Sequence, residues 1–351
     1  MIVFVAPFPA LSDEKDGFVQ RIASIDSLVS DLPRVYLEIS LRRFWTIRHH
    51  YYGKAIVLQL NAFRHFFVIT SWFKKASSVY VHSVYGSLMA LPAYWLATPI
   101  TDLHGVVPEE LTFKGKPWRA RLLNLVERIA LRRSATVVYV TSAMKQHFHL
   151  KYGRNSAADR IISILPKITD ERGQSENVLG SKRHPKTVIY AGGLQPWQNV
   201  PLMIDAAAAT PKFRFIFLSG EAEKLQRLAI VSNVADFTCI SVEPEQVPDY
   251  YLSCTYGFVL RDPVLLNQVA CPTKLVEYLH WGVIPIVLTP YIGDFASLGF
   301  AFVAIDEFRS GNLPDENKVA RMRINNREVV ERLRATCESE LTKLSQELRR
   351  D

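Results

Sequence analysis

The chain lacks most of what would tie it to a membrane span, a disulfide framework or a metal centre. No apolar run is long enough to cross a bilayer, since the most apolar window, Tyr85 to Leu103, is broken by Pro92 and Pro99. The opening MIVFVAP carries no basic leader, which predicts a soluble cytoplasmic protein. Four cysteines, Cys239, Cys254, Cys271 and Cys337, show neither CxxC spacing nor clustering with histidine, so neither disulfides nor a zinc site is expected. His147 and His149 lie two apart on a predicted helix and point different ways, which argues against a metal pair. Helix-turn-helix, zinc-finger and RNP-like signatures are also missing, so no nucleic-acid partner is expected.

What is present is length, apolar content and an uneven charge. The 351 residues exceed one ordinary core and suit two domains of about 150 residues each. Residues 1–183 hold 25 Lys and Arg against 14 Asp and Glu, whereas residues 184–351 hold 17 against 20. The basic first half suits an anionic lipid, an acidic glycan or nucleic acid. Within it, Arg42 to Tyr52 (RRFWTIRHHYY) and Arg64 to Lys75 (RHFFVITSWFKK) interleave cations with aromatic rings. That mixture fits the headgroup layer of an anionic membrane surface, or else a core with a solvated rim.

The chain is organised around Gly257 to Leu288, which reads as strand, loop, helix (PTKLVEYLHW), glycine stop and second strand (VIPIVL). Pro272 suits the first helical position and Gly282 the left-handed residue beyond the end. The start of such a helix offers unpaired N–H groups and the positive end of its dipole to a phosphate or diphosphate. Thr273 and Lys274 add a hydroxyl and a cation there, and Glu277 follows one turn later, placed to accept hydrogen bonds from a ribose. The local pattern serves equally well as an ordinary buried strand-helix-strand unit.

Other stretches alternate strand and helix in the same way. IVFVA leads through Asp16-Gly17-Phe18 into a helix with apolar residues at Phe18, Ile22, Ile25 and Leu28. Ile100 to Leu103 is a strand ending in Asp102-Leu103-His104-Gly105, where open α/β sheets place their ligand groups. TVIYAGG followed by LQPWQNV and a helix forms a second glycine turn of the phosphate-facing kind, at Gly192 and Gly193.

Together, the PTKLxEYL helix start with its glycine and strand, the DxHG strand end, and the ER-helix, strand, Thr-Ser-x-x-Met order at residues 127–144 resemble GT-B glycosyltransferases. Among them they resemble in particular family 4, retaining and nucleotide-sugar dependent. The resemblance implies an α/β fold of two Rossmann-like parallel-sheet domains facing a cleft, with a C-terminal helix. It implies an acceptor- and membrane-side domain over 1–170, a linker over 171–185, a nucleotide-sugar domain over 186–313, and a terminal helix over 314–351 that can return to the first domain. It assigns the ribose to Glu277, the donor sugar to His104, the orientation of that loop to Asp102, and the donor phosphates to Gly17, Gly192, Gly193 and the helix start, with Arg21 not expected to take part. Glu109 and Glu110 stand on the acceptor side or cap a helix.

Two departures from the family pattern stand out. The usual basic pair at the second glycine turn is replaced by Gly193 or Leu194 and by Gln198, beside Asn199. The first of the two family glutamates is Val269, leaving the backbone of Val269 to Cys271 and the side chains of Asn267 and Arg261 as substitutes. No DxD-type metal motif occurs, and no metal is expected. The implied donor is a nucleoside diphosphate sugar, a UDP-sugar first and a GDP-sugar second. The implied acceptor is a glycan or lipid-linked glycan, met by a peripheral protein at the inner face of the cell membrane. A catalytically silent GT-B partner and a GT-B nucleotide-sugar epimerase are the alternatives.

Overall fold

The computed structural model describes residues 1–9, 17–166 and 183–350. They fall into two compact units, Met1–Ile164 with Thr336–Asp351, and Leu165–Ala335. Of the expected linker 171–185, residues 171–182 lie outside the described residues, and its last two residues belong to a strand.

The first unit holds β1 (Ile2–Val5), β2 (Arg34–Ser40), β3 (Arg48–Tyr52), β4 (Ala55–Asn61), β5 (Ser78–His82), β6 (Ile100–Leu103), β7 (Thr136–Tyr139) and β8 (Arg160–Ile161). Their order in the sheet is β3-β4-β2-β1-β5-β6-β7-β8. All neighbours are parallel except β3 and β4, which form a hairpin pairing Tyr52 with Ala55. Gly53, at φ +57°, makes that tight turn without a Cβ penalty. The hairpin is not anticipated from the sequence: RHHYY is exposed throughout and shows no apolar alternation to mark a strand. The strand order reverses between β1 and β5, so the C-terminal ends of these strands border the crevice in which such sheets bind ligands.

The second unit holds β9 (His184–Ala191), β10 (Arg214–Leu218), β11 (Phe237–Ile240), β12 (Cys254–Val259), β13 (Ile284–Val287) and β14 (Val303–Ala304), all parallel, in the order β11-β10-β9-β12-β13-β14. Strand periodicity divides its core between two faces. Val188, Tyr190, Phe215, Phe217, Phe258 and Ile286 pack on one side. Ile189, Ile216, Leu218, Val259 and Val287 pack on the other, with the helix Thr273–His280. The long helix Glu316–Leu348 adds Val329, Val330 and Leu333 to that second face. Its last part belongs to the first unit, where Glu347 accepts from Thr136 at 2.5 Å and from Arg160 at 2.7 Å.

Candidate functional site

In the second unit the candidate side chains gather near the C-terminal ends of β9 and β12. The helix Thr273–His280 begins one residue later than the sequence suggests, with Pro272 as the extended residue before it and Thr273 first inside. Thr273 and Lys274 therefore supply the leading amides. The helix ends as expected: Gly282 sits at φ +69°, Val283 N–H bonds to the Tyr278 carbonyl at 2.8 Å, and Gly282 N–H bonds to that of Leu279 at 3.4 Å. Tyr278 fixes the helix to the sheet. Its hydroxyl donates to the Ile189 carbonyl at 3.2 Å and accepts from Ala191 N–H at 3.3 Å. Gly257, directly beneath, is glycine because a Cβ there would collide with the Tyr278 ring.

Lys274 reaches back from the helix to the second glycine turn. Its Nζ lies 3.7 Å from the centre of the Tyr190 ring and 3.5 Å from Gln198 Oε1. A Cβ on Gly192 would stand 2.6 Å from that ammonium, so this glycine makes room for the lysine. The Tyr190 hydroxyl donates to the Gly193 carbonyl and holds the turn. Arg261 is the second cation. Its Nη1 donates to Asn267 Oδ1 at 3.1 Å, and the Asn267 amide donates to the Asp262 carbonyl at 2.9 Å. Asn267 is thus buried and engaged at both ends, so it positions Arg261. Asn199, at φ +55°, donates to Asp262 Oδ1 at 2.9 Å and braces the same loop.

Neither Lys274 nor Arg261 forms an ion pair among the described residues, and Arg261 Nε is buried there with no partner. Burial and the nearby Arg261 push the Lys274 pKa well down, and burial lowers Arg261 to about 10. Glu277 accepts from the Tyr251 hydroxyl at 2.8 Å, and burial raises its pKa. Thr273 and Cys271 are half-buried beside these groups. The result is two cations and a helix start with no ion pair among the described residues, near the Glu277 carboxylate that Tyr251 holds in place.

In the first unit, Asp102 is fully buried at the end of β6, paired with His82 of β5 in the sheet register. Arg21 Nε donates to Asp102 Oδ2 at 2.9 Å and Arg21 Nη2 to Oδ1 at 3.2 Å, while the Tyr80 hydroxyl donates to Oδ2 at 2.9 Å. Burial works to raise the Asp102 pKa, but Arg21 and the two histidines hold it well below the usual range. His82 Nδ1 and His104 Nε2 lie 3.1 Å apart, one donating to the other, and burial keeps His82 neutral. His104 Nδ1 has no partner among the described residues, and its ring rests 4.9 Å from that of Phe18.

Arg21, discounted from the sequence, is the counter-ion of this cluster. His82 also goes unnoticed there, although a second strand ending in a polar ring beside Asp102 was a usable signal. His82, Asp102 and His104 have ligand atoms close enough to hold a cation, but Arg21 already takes both oxygens of the carboxylate. Gly17 opens the helix Gly17–Ser27 with open space where a Cβ would lie, so nothing described requires glycine there; the preceding residues 10–16 lie outside the described residues. Glu109 pairs with Lys151 at 2.6 Å and lies 3.3 Å from His147 Nε2, and Glu110 faces Lys114 at 3.8 Å; both carboxylates are engaged within the unit.

No protein-family model and no curated protein matches the chain. Solved structures match it along its whole length. The sucrose-phosphate synthase of Thermosynechococcus elongatus superposes with a TM-score of 0.69 at 12% identity, covering 99% of this chain and 98% of that one. Alr3699/HepE of Anabaena, solved with UDP-glucose, gives 0.68 at 14% identity, covering 98% and 99%. A UDP-forming trehalose-phosphate synthase of Burkholderia vietnamiensis gives 0.62 at 12% identity, covering 99% and 97%. At such identities the likeness speaks for architecture, and the chain has the GT-B fold found in these glycosyltransferases.

Proposed function

We propose that this protein is a retaining glycosyltransferase that moves a sugar from a nucleoside diphosphate sugar, a UDP-sugar first among them, to a lipid-linked surface glycan. The observation that carries the reading is the pair Lys274 and Arg261 at a helix start, both short of an anion. A diphosphate supplies that anion, and structures of the same fold were solved with UDP and UDP-glucose.

In the reaction, the bond between the sugar C1 and the diphosphate oxygen breaks and its electron pair leaves with the diphosphate. The helix start, Lys274 and Arg261 stabilise that growing charge as fixed dipoles and cations. The acceptor oxygen bonds to C1 on the face just vacated, and its proton passes to the departing phosphate. Glu277 holds the ribose hydroxyls, with Tyr251 fixing its rotamer. His104 holds a hydroxyl of the donor sugar, oriented by His82 and by the Asp102–Arg21 pair.

A peripheral place at the inner face of the membrane is supported by the surface of the first unit. Trp45, Tyr51, Phe63 and Phe67 are exposed rather than core, close in sequence to Arg42, Arg43, Arg48 and Arg64. No helix among the described residues is long and apolar enough to cross a membrane. The decisive experiment is a thermal-shift and calorimetric screen of UDP, GDP, ADP, TDP and CMP on the wild type and Glu277→Ala. Stabilisation by one diphosphate that is lost in the variant supports the assignment. No binding at millimolar concentration would turn the reading toward a silent GT-B partner.

A further inference from the structure

Tyr190, the last residue but one of β9, is fully buried, with its ring in the core on one face of the second sheet. The helix Thr273–His280 packs on the opposite face. The Lys274 side chain therefore passes over the end of β9, close by Gly192, to bring Nζ to 3.7 Å from the centre of the Tyr190 ring. A flexible four-carbon stem does not hold such a path by itself. Gln198 Oε1 offers little, since at 3.5 Å it stands at the outer limit of a hydrogen bond. Two carboxylates of the same helix and loops are engaged, Glu277 with the Tyr251 hydroxyl at 2.8 Å and Asp262 with the Asn199 amide at 2.9 Å. The face of an aromatic ring attracts an ammonium, and more strongly where water is excluded. The ring is thus what aims the lysine.

The hydroxyl of Tyr190 has a separate task. It donates to the Gly193 carbonyl, and burial raises its pKa so that it stays a donor. Across a trans peptide the N–H points opposite to the carbonyl, so holding this carbonyl on Tyr190 turns the Leu194 N–H away from it. The charge of Arg261 also acts on this hydroxyl. Both candidate cations and the glycine turn therefore meet at one buried side chain.

We infer that Tyr190 is a positioning residue of the donor site, its ring aiming the Lys274 ammonium and its hydroxyl setting the Gly192-Gly193 turn for the diphosphate of a nucleotide. The inference rests on the transferase reading and adds to it a residue that acts through Lys274 and the turn. Phenylalanine at this position keeps the first task and loses the second, and methionine loses both.

The test is calorimetric titration of UDP and of inorganic pyrophosphate into wild type, Tyr190→Phe and Tyr190→Met, and into the same three with Lys274→Met added. Uridine binding is followed beside them by saturation-transfer NMR. Tyr190→Phe should weaken UDP by about two- to tenfold. Tyr190→Met, which also removes the ring, should weaken it by a further two- to thirtyfold or so. With Lys274→Met present this second step should vanish, because no ammonium remains to be aimed. Uridine has no phosphate and should bind all the Tyr190 variants alike. A loss of uridine and UDP in equal measure would reduce Tyr190 to a support of the fold. UDP affinity unchanged in Tyr190→Phe would overturn the turn contact, and a second step of equal size in both backgrounds would overturn the action on Lys274. Tyr190→Leu replaces Tyr190→Met if the latter does not fold in urea titrations. If UDP binding is lost in Glu277→Ala and unmoved by every change at Tyr190, this inference fails and the transferase reading stands. If pyrophosphate binds through Tyr190 and Lys274 and UDP binds no better, the positioning stands and the nucleotide reading fails; if neither ligand binds, both fail.

Discussion

Replacing Lys274 by methionine keeps the length and apolar stem of the side chain and removes only its charge. Two effects of opposite sign should follow. In the free protein, Lys274 is a half-buried cation beside Arg261, drawn toward Glu277 but in no ion pair with it, so the substitution should stabilise the second unit by about 1 kcal/mol. In the complex, one charge-assisted contact to the diphosphate is lost, worth about 1.5–3 kcal/mol, or roughly a ten- to 150-fold loss of affinity. At a UDP concentration about 100 times the wild-type Kd, binding stabilises the wild type by about 2.7 kcal/mol and the variant by only about 0.3–1.4 kcal/mol. For a unit of this size, that is a fall in the UDP-induced Tm shift from about 8 °C to about 4 °C or less. Gly192→Ala should weaken UDP binding in the same way, because the new Cβ would stand 2.6 Å from Lys274 Nζ and push the ammonium aside. A UDP-induced shift unchanged in Lys274→Met would show that the lysine does not face the nucleotide. A marked loss of stability in the free variant would show that its charge is already neutralised in the fold.

Three further outcomes are expected. Arg21→Met leaves the Asp102 carboxylate buried with only Tyr80 and the neighbouring His82 and His104 and should cost the first unit about 3–5 kcal/mol, a Tm drop of about 10 °C by calorimetry; the added change Asp102→Asn should recover part of it, and a cost under about 1 kcal/mol would refute the buried pair. His280 is buried with a pKa lowered to about 4, so between pH 6.5 and 4 the unfolded chain takes up a proton that the folded one does not. Stability of the second unit is then complete above pH 6.5 and should decline by up to about 1.4 kcal/mol per pH unit below it, a slope that His280→Gln should flatten in urea titrations. Gly257→Ala should cost about 3 kcal/mol in urea denaturation and weaken UDP binding together, since displacing the Tyr278 ring releases both its bonds to the end of β9.

The sequence by itself determined the elements whose code is local. The helix Thr273–His280 is bounded by a proline and a left-handed glycine, apolar periodicity marks the strands, and the DLHG run falls at the end of β6. These signals span a few residues, so backbone geometry and burial alone make them legible. The strand RHHYY carries no such code, since a fully exposed edge strand is held by its ladder to β4 rather than by an apolar face.

Tertiary structure decided which groups act together. Arg21 and Asp102 are 81 residues apart, and Gln198 and Lys274 are 76 apart; nothing in either local pattern announces the partner. From the sequence, the glycine turn lacks its basic pair. In the fold, Lys274 at the start of its helix and Arg261 just after β12 bring two cations toward that turn. A parallel sheet places the ends of distant strands side by side, and electrostatics acts through distance in space rather than along the chain.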